Sequence, residues 1–308
     1  MTLVGLGGMG QRHARVLRAL PDRFDLIGAY DVRADVQPPA GLVRLRSESE
    51  AIARAGVVVV ATPIEAHAGT VARALAAGRH VLVEKPLCAT AAEAQALTSE
   101  GGGARLFVGH SERFNPVVRA LARLVREEDI VAIDLRRVGP SKASDWGVLV
   151  NLGVHDLDLA AYLGGGEVLL RGALVGTTSG ALVEDLAHVL FSIHGGGLGH
   201  LYVDRTTGAK ERTIEVTTPR WTYRGDLLAH RLTRAPRSGG APTDVPLPLE
   251  EPLSAQAVAL ADAIEGGARG ERSAVREIAT GADGARAVDL AERAAAYSPR
   301  KVALGLRR

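Results

Sequence analysis

The stretch VGLGGMGQRH, Val4 to His13, decides the fold. Its glycines fall at Gly5-x-Gly7-x-x-Gly10, between the apolar pair Leu3–Val4 and a helical pattern over Met9–Leu20. In such a loop the first glycine permits a tight turn, the second lets the backbone approach a pyrophosphate, and the third allows close helix–strand packing. The amides of Gly8 and Met9 then open the helix, where partial positive charge gathers against phosphate. Glycine is abundant, at 36 of 308 residues, so the motif needs a second element. The stretch LIGAYD supplies it: a strand over Phe24–Tyr30 ends at Asp31, about 20 residues beyond the loop. A carboxylate there accepts hydrogen bonds from adenosine ribose hydroxyls and repels a 2′-phosphate. NAD is the expected cofactor, and Arg33 close by keeps NADP open.

Outward from this loop, short β-type runs alternate with helical patterns through the first third, which is how a parallel α/β sheet reads. Leu42–Leu45 is a short strand candidate and Glu48–Arg54 a helix. Val57–Ala61 is a β-branched run suited to a strand buried on both faces. Thr62 and Pro63 follow it, small or rigid residues where a cofactor passes closely. Helix Glu65–Ala77 stops at Gly78. His67, in its first turn, reads either as a structural residue or as a cofactor contact. Strand His80–Val83, helix Thr90–Glu100 and strand Arg105–Val108 complete the series.

The strand in HVLVEKPLCAT, His80 to Thr90, ends abruptly in Glu84-Lys85-Pro86. Carboxyl ends of parallel strands form the ligand crevice of an open α/β sheet. A buried, unpaired ammonium is costly, so Lys85 should face a polar site. Lysine can act as acid or base once its pKa moves from about 10.4 towards neutrality, whereas arginine, above about 12, cannot. The only lysines are Lys85, Lys142, Lys210 and Lys301 among 37 basic residues, which makes each informative. Removing a hydride from a carbinol also requires loss of the hydroxyl proton, and help with that is typically worth about 100- to 10,000-fold.

From Asp129 the pattern changes. Alternating segments at Ile130–Val138, Val168–Val175, Ala187–Ile193, Gly199–Asp204 and Arg212–Thr217 are separated by glycine-rich turns, with one helix, Val154–Leu163, interrupting. Arg234–Leu249 reads as a loop, and two Ala-rich helices follow near Leu253–Glu265 and Ala274–Ala296. The expected architecture is an α/β N-terminal Rossmann domain with a parallel sheet, residues 1–118. An α+β C-terminal domain with a large, mostly antiparallel open sheet follows, residues 119–308, its last helix able to pack back on the first domain. In VNLGVHDLDL, Asn151 and His155 lie four apart, neighbours on a helix. Asn151 reads as a substrate contact or as the helix N-cap. His155, Asp156 and Asp158 have permissive metal spacing, but no second histidine cluster or cysteine accompanies them, so no metal is expected. In GHSERFNP, Arg113 and Asn115 are substrate-binding candidates. A guanidinium suits a pyrophosphate or carboxylate, with a salt bridge between domains as the alternative.

The glycine loop, ATP, GRHVLVEKP, GHSERFNP and NLGVHDLDL together, in this order and spacing, resemble the Gfo/Idh/MocA oxidoreductases over nearly the whole chain. The resemblance implies that Lys85 lies beside the nicotinamide and substrate, with Glu84 among the cofactor contacts, and that Lys85–Pro86 is cis. Family members typically carry Asp-x-x-x-His where this chain has Asn151 and His155. An amide can hydrogen-bond a sugar hydroxyl but cannot take its proton, which leaves Lys85 and His155 as the expected catalytic pair. The GHSERFNP version is most similar to members that oxidise the 3-hydroxyl of UDP-N-acetylglucosamine. A free-polyol or inositol dehydrogenase is the alternative enzyme, and a non-catalytic NAD-binding sensor the alternative class. The resemblance further implies a homodimer or homotetramer built through the C-terminal sheet.

Composition agrees with a small-molecule enzyme. Net charge is +2, giving no basic face for nucleic acid. No apolar run approaches the ~18 residues of a membrane span. A structural motif is under way at Gly5, which argues against a secretory signal. The single cysteine, Cys88, precludes an intrachain disulfide. A cytoplasmic location is expected.

Overall fold

The computed structural model describes residues 1–99, 105–141, 145–178, 182–268 and 277–297, and 302–304 as a strand. It divides into two compact units, Met1–Phe114 with Glu251–Val288, and Asn115–Glu250 with Asp289–Arg308.

The first unit carries a six-stranded sheet. Strands β1 (Thr2–Val4), β2 (Gly28–Tyr30), β3 (Val57–Val60), β4 (His80–Glu84) and β5 (Leu106–Gly109) are parallel. A two-residue strand, β14 (Ala279–Thr280), pairs antiparallel with β5, giving the order β14-β5-β4-β3-β1-β2. Both faces are buried, as the run of valines anticipates. Val59 and Leu82 pack with helix α1 (Gly8–Arg18) and helix α7 (Pro252–Ala268). Val58, Val60, Val81 and Val83 pack on the other face with α2 (Glu48–Arg54), α3 (Ile64–Ala76) and α4 (Ala91–Ser99). The start of α2 is fixed by a cap resembling a capping box, with Ser47 Oγ accepting from Glu50 N–H and Glu50 Oε2 accepting from the N–H of Arg46, one residue before the N-cap.

Some expectations need correction. The second strand is only Gly28–Tyr30, shorter than Phe24–Tyr30, and Leu42–Leu45 contributes a single bridge, Ala29 to Arg44. Position 100 of the expected helix Thr90–Glu100 lies outside the described residues.

The second unit holds a nine-stranded sheet, ordered β13-β12-β11-β10-β6-β9-β8-β7-β15. Its strands are β6 (Ala132–Val138), β7 (Val168–Thr178), β8 (Leu186–Ile193), β9 (Leu198–Asp204), β10 (Glu211–Thr217), β11 (Trp221–Asp226), β12 (Arg231–Pro236), β13 (Thr243–Asp244) and β15 (Val302–Leu304). Among the described residues only the β6–β9 and β7–β15 pairs are parallel. The sheet is larger than the sequence suggested. Trp221–Asp226 was not anticipated, and the expected loop Arg234–Leu249 contains the end of β12 and all of β13. Helix α5 (Pro116–Leu124) and helix α6 (Val154–Leu163) belong to this unit, and α6 packs over β6 and β9. The last helix, α8 (Gly281–Tyr297), is later than Ala274 among the described residues. Ala279–Thr280 is strand, and Thr280 and Asp283 cap the helix reciprocally. No helix among the described residues is long and apolar enough to cross a membrane.

Candidate active site

In the first unit the glycine loop joins β1 to α1. Gly5 takes φ +95°, a conformation that L side chains rarely adopt, and a Cβ there would strike the Ala61 carbonyl. A Cβ on Gly10 would overlap the Gly5 carbonyl oxygen, so α1 approaches β1 only because both positions lack side chains. Gly7 and Gly8 meet nothing where a Cβ would stand. The space beside these two glycines, at the start of α1, is therefore open, and helix N-termini of this kind favour phosphate. Half-buried Met9 sits in the same first turn.

Asp31 directly follows β2 and is buried. Its Oδ2 accepts from Leu6 N–H at 2.7 Å, tying it to the glycine loop, and its Oδ1 accepts from Arg33 N–H at 2.9 Å. Burial alone would raise the Asp31 carboxyl. The Leu6 and Arg33 amides, with the Arg33 guanidinium, outweigh it and hold the group below the ordinary aspartate range. Beside it lies a cavity of about 370 Å³ lined by Tyr30, Asp31, Val32, Ala34, Arg44 and others. Arg44 donates to the Asp31 and Arg33 carbonyls, fixing the loop that forms the cavity wall.

At the end of β3, Thr62 Oγ1 is buried and has no hydrogen-bond partner among the described residues. Pro63 starts α3 in an extended conformation. An unsatisfied hydroxyl, open glycine amides and a cavity against a carboxylate fit a dinucleotide laid over the carboxyl ends of β1 to β4. His67 lies in the first turn of α3, buried, with Nδ1 2.9 Å from the Pro86 carbonyl oxygen and Nε2 3.0 Å from that of Thr62. Its ring is thus engaged with the main chain on both sides.

Strand β4 delivers the Glu84-Lys85-Pro86 turn at the same edge, and Lys85–Pro86 is cis, as the resemblance implied. Glu84 is buried. Its Oε1 lies 2.7 Å from His13 Nε2 and its Oε2 accepts from Lys85 N–H at 3.2 Å. His13, on α1, is a site residue that no sequence motif marks. Beyond β5, a 3-10 turn over Ser111–Phe114 carries Arg113, which is 4% exposed and lies 3.6 Å from Asp283. Burial alone would raise the Asp283 carboxyl, but Arg113 and Thr280 hold it below the usual range. Arg113 is therefore paired within its own unit.

In the second unit, Asn115 caps α5. Its Oδ1 accepts from Val117 N–H at 3.0 Å while its Nδ2 donates to the Leu227 carbonyl. Asn151 lies in a π-helical turn, Leu149–Gly153, that runs into α6. Gly153 occupies the cap position of α6 without a side-chain cap bond, so Asn151 is not the N-cap. π-helical turns recur at functional sites because they displace side chains from the ordinary helical register. His155 follows in the first turn of α6, half-buried. The next residue, Asp156, is fully buried and receives Arg137 Nε at 2.5 Å and Arg137 Nη2 at 3.2 Å. Asp156 is spent on orienting α6 against β6.

A polar belt that sequence reading missed holds the approach to this turn. Glu184 accepts from Leu149 N–H and occupies the space where a Gly147 side chain would stand. Arg205 donates to Asp185 at 2.7 Å and to the Trp146 carbonyl at 3.0 Å. The consecutive acids before β8 and the arginine after β9 were the available signal.

Two family profiles match the chain. One is described as "Oxidoreductase family, NAD-binding Rossmann fold", over residues 1–110, and the other as "GFO/IDH/MocA C-terminal domain", over residues 125–224. Inositol 2-dehydrogenase of Rubrobacter xylanophilus is 30% identical over 257 residues, 75% of this chain and 72% of that protein. UDP-N-acetylglucosamine 3-dehydrogenase of Acidithiobacillus ferrooxidans is 28% identical over 225 residues, 70% of this chain and 69% of that protein. The solved structure of the Acidithiobacillus enzyme superposes with a TM-score of 0.84 at 23% identity, covering 96% of each chain. Levoglucosan dehydrogenase in complex with NADH gives a TM-score of 0.82 at 20% identity, over 96% of this chain and 97% of that one. At those identities the structural likeness speaks for the fold, while the two profiles and the 30%-identical relative speak for common descent. The chain belongs to the Gfo/Idh/MocA oxidoreductases and is an NAD(P)-dependent dehydrogenase.

Proposed function

We propose that the chain moves hydride between a ring carbinol carbon of a nucleotide sugar, in first place C3 of a UDP-N-acetylhexosamine, and NAD. Lys85 and His155 assist the hydroxyl proton. The observation that carries this reading is the Glu84-Lys85-Pro86 turn at the carboxyl end of β4, in the same unit and at the same sheet edge as the open glycine loop. Bound there, the nicotinamide would supply the hydride acceptor. Lys85 would hold or take the proton at its Nζ, and Asn151 would donate to or accept from a sugar hydroxyl without titrating. His155, carried by α6 and steadied through Asp156 and Arg137, would complete proton transfer. Glycines 5, 7, 8 and 10 with Met9, Thr62 and Pro63 would seat the dinucleotide, and Asp31 would favour NAD over NADP. Arg113 and Asn115 would serve the substrate by fixing the chain around them, since each is already bonded within its own unit.

A free polyol is the second reading, favoured by the 30% identity to an inositol 2-dehydrogenase. Association through the outer face of the nine-stranded sheet is supported by Leu169, Leu174, Leu190 and Leu198, exposed side chains that the register sets on one face. A cytoplasmic location accords with the lone thiol of Cys88.

The test is NADH formation, by absorbance, with NAD or NADP against UDP-N-acetylglucosamine, UDP-N-acetylgalactosamine, glucose and myo-inositol. Turnover of a UDP-sugar alone is expected, and Lys85→Ala should abolish it with NAD binding intact. Turnover of myo-inositol alone would sink the nucleotide-sugar reading. Silence across the panel with tight NAD binding would favour a sensor.

A further inference from the structure

Two buried histidines end on the same three-residue turn, from two different helices. We propose that His13 and His67 are positioning residues for Lys85, one holding each side of Glu84-Lys85-Pro86; the proposal rests on the reading of Lys85 as the proton-transfer group. His13 Nε2 lies 2.7 Å from Glu84 Oε1, and the other oxygen of that carboxylate accepts the N–H of Lys85 itself. The carboxylate therefore bridges α1 and the lysine backbone. The carboxylate lies against Gly109, where only a glycine leaves room for it: a Cβ there would stand 3.1 Å from Oε1. On the far side, His67 Nδ1 lies 2.9 Å from the Pro86 carbonyl oxygen and Nε2 3.0 Å from that of Thr62. Both partners are acceptors, so a neutral ring donates to one and a doubly protonated ring to both.

A core histidine needs only a satisfied ring. These two instead fix the residue before Lys85 and the residue after it. The helices that supply them start at the two loops assigned to the dinucleotide, α1 at the glycine loop and α3 at Thr62-Pro63. The cofactor cradle and the amine thus share one rigid frame. Reacting groups tolerate little displacement: about 1 Å of misplacement can cost on the order of 100-fold in rate.

The experiment exploits the four lysines of the chain. Reductive methylation with ¹³C-formaldehyde labels each amine for NMR, and Lys85→Arg identifies the Lys85 signal. In His13→Gln and in His67→Gln, the Lys85 signal should move and its titration midpoint shift by about half a pH unit or more, with Lys210, exposed on the surface, unchanged. With the substrate that turns over, kcat should fall about 10- to 100-fold, while the NAD dissociation constant by calorimetry stays within about threefold. Should His13→Gln not fold, Glu84→Gln keeps the side chain's size and is expected to give the same shift. An unmoved Lys85 signal and titration in the folded variants would overturn the proposal. So would NAD affinity falling in step with kcat, since the histidines would then serve the cofactor loop. Full turnover by Lys85→Ala would instead remove the reading of Lys85, and the NMR shifts would still report whether the histidines hold it.

Discussion

At the scale of single residues, Asp31 joins the glycine loop to the cavity at the end of β2. Its carboxylate already accepts from Leu6 and Arg33, and its remaining lone pairs are what a ribose diol would meet. Replacing it by serine, with Arg33 retained, should lower the NAD-to-NADP ratio of kcat/KM by about 10- to 100-fold, because the repulsive charge goes and a guanidinium stays. Initial rates with both cofactors check this, and an unchanged ratio would remove Asp31 from cofactor choice. The same residue makes an acid-stability prediction. Its folded pKa lies below the unfolded value of 3.8, so its contribution is complete above that pH and is lost as pH falls through the lower folded value. Asp31→Asn should flatten the acid limb of the stability curve there. Cys88 has the opposite character. Burial, helped by Glu93, pushes its thiol up to about 12. The native chain should resist a disulfide reagent at neutral pH and react once unfolded in urea.

At the scale of elements, the start of α6 depends on one buried pair. Removing one partner of Arg137–Asp156 leaves a buried charge without its close counter-ion, which typically costs about 3–5 kcal/mol. Asp156→Ala should therefore lower the urea midpoint strongly, and Arg137→Met with Asp156→Leu should recover most of the loss. A full-sized loss in the double variant would mean that the pair contributes through other contacts. On the opposite face of the same sheet, His188 Nδ1 lies 3.1 Å from His200 Nε2, and His200 Nδ1 lies 2.7 Å from Asp134. Burial, then His200 and Arg136, lower the His188 pKa, against weaker raising by Asp204 and Asp134. The folded chain thus resists a proton that the unfolded chain accepts, so stability should fall as pH drops below about 6.5. His188→Gln should make that slope shallower, with His80, whose pKa burial and Arg105 also lower, retaining its share, as thermal melts between pH 5 and pH 8 would show.

Elements with their own local signals were legible in the sequence. Helix α2 matches residue for residue because Ser47 and Glu50 cap it, and β3, Val57–Val60, falls one residue short of the expected Val57–Ala61 because its four valines alone carry the buried run. β12 was missed because its partners, not its own pattern, make it a strand. Arg231, Arg234 and Pro236 alternate with nothing strongly apolar except Leu232. The π-helical turn leaves no periodic trace in five residues. His13 is not legible because its partner, Glu84, is 71 residues away and only the tertiary fold brings them together.

At the scale of the whole molecule, the chain leaves the first unit at Phe114 and re-enters it at Glu251. α7 is legible as an Ala-rich helix, but no motif says which core it completes. Its Leu253 and Leu260 pack in the cluster that contains Leu3, Leu6 and Phe107, beneath the glycine loop. Arg15 on α1 and Arg23 in the turn beyond it also pair with Glu251 and Asp262, but these contacts are exposed or half-exposed and contribute little. The apolar contacts should dominate. Leu260 is fully buried, so Leu260→Ala should cost about 2–5 kcal/mol through lost burial and the cavity left behind. The unit that bears this loss can be identified by ligand linkage, since NAD stabilises only the part of the chain that binds it, by RT ln(1 + [L]/Kd). In calorimetric scans the transition that rises with added NAD should be the one that Leu260→Ala lowers. If the variant lowers a transition that NAD leaves in place, α7 supports the other unit, and the segment after Glu250 has no part in the cofactor domain. If one transition responds to both, the two units unfold together, and Leu260→Ala should then weaken the melting of the large sheet by the same amount.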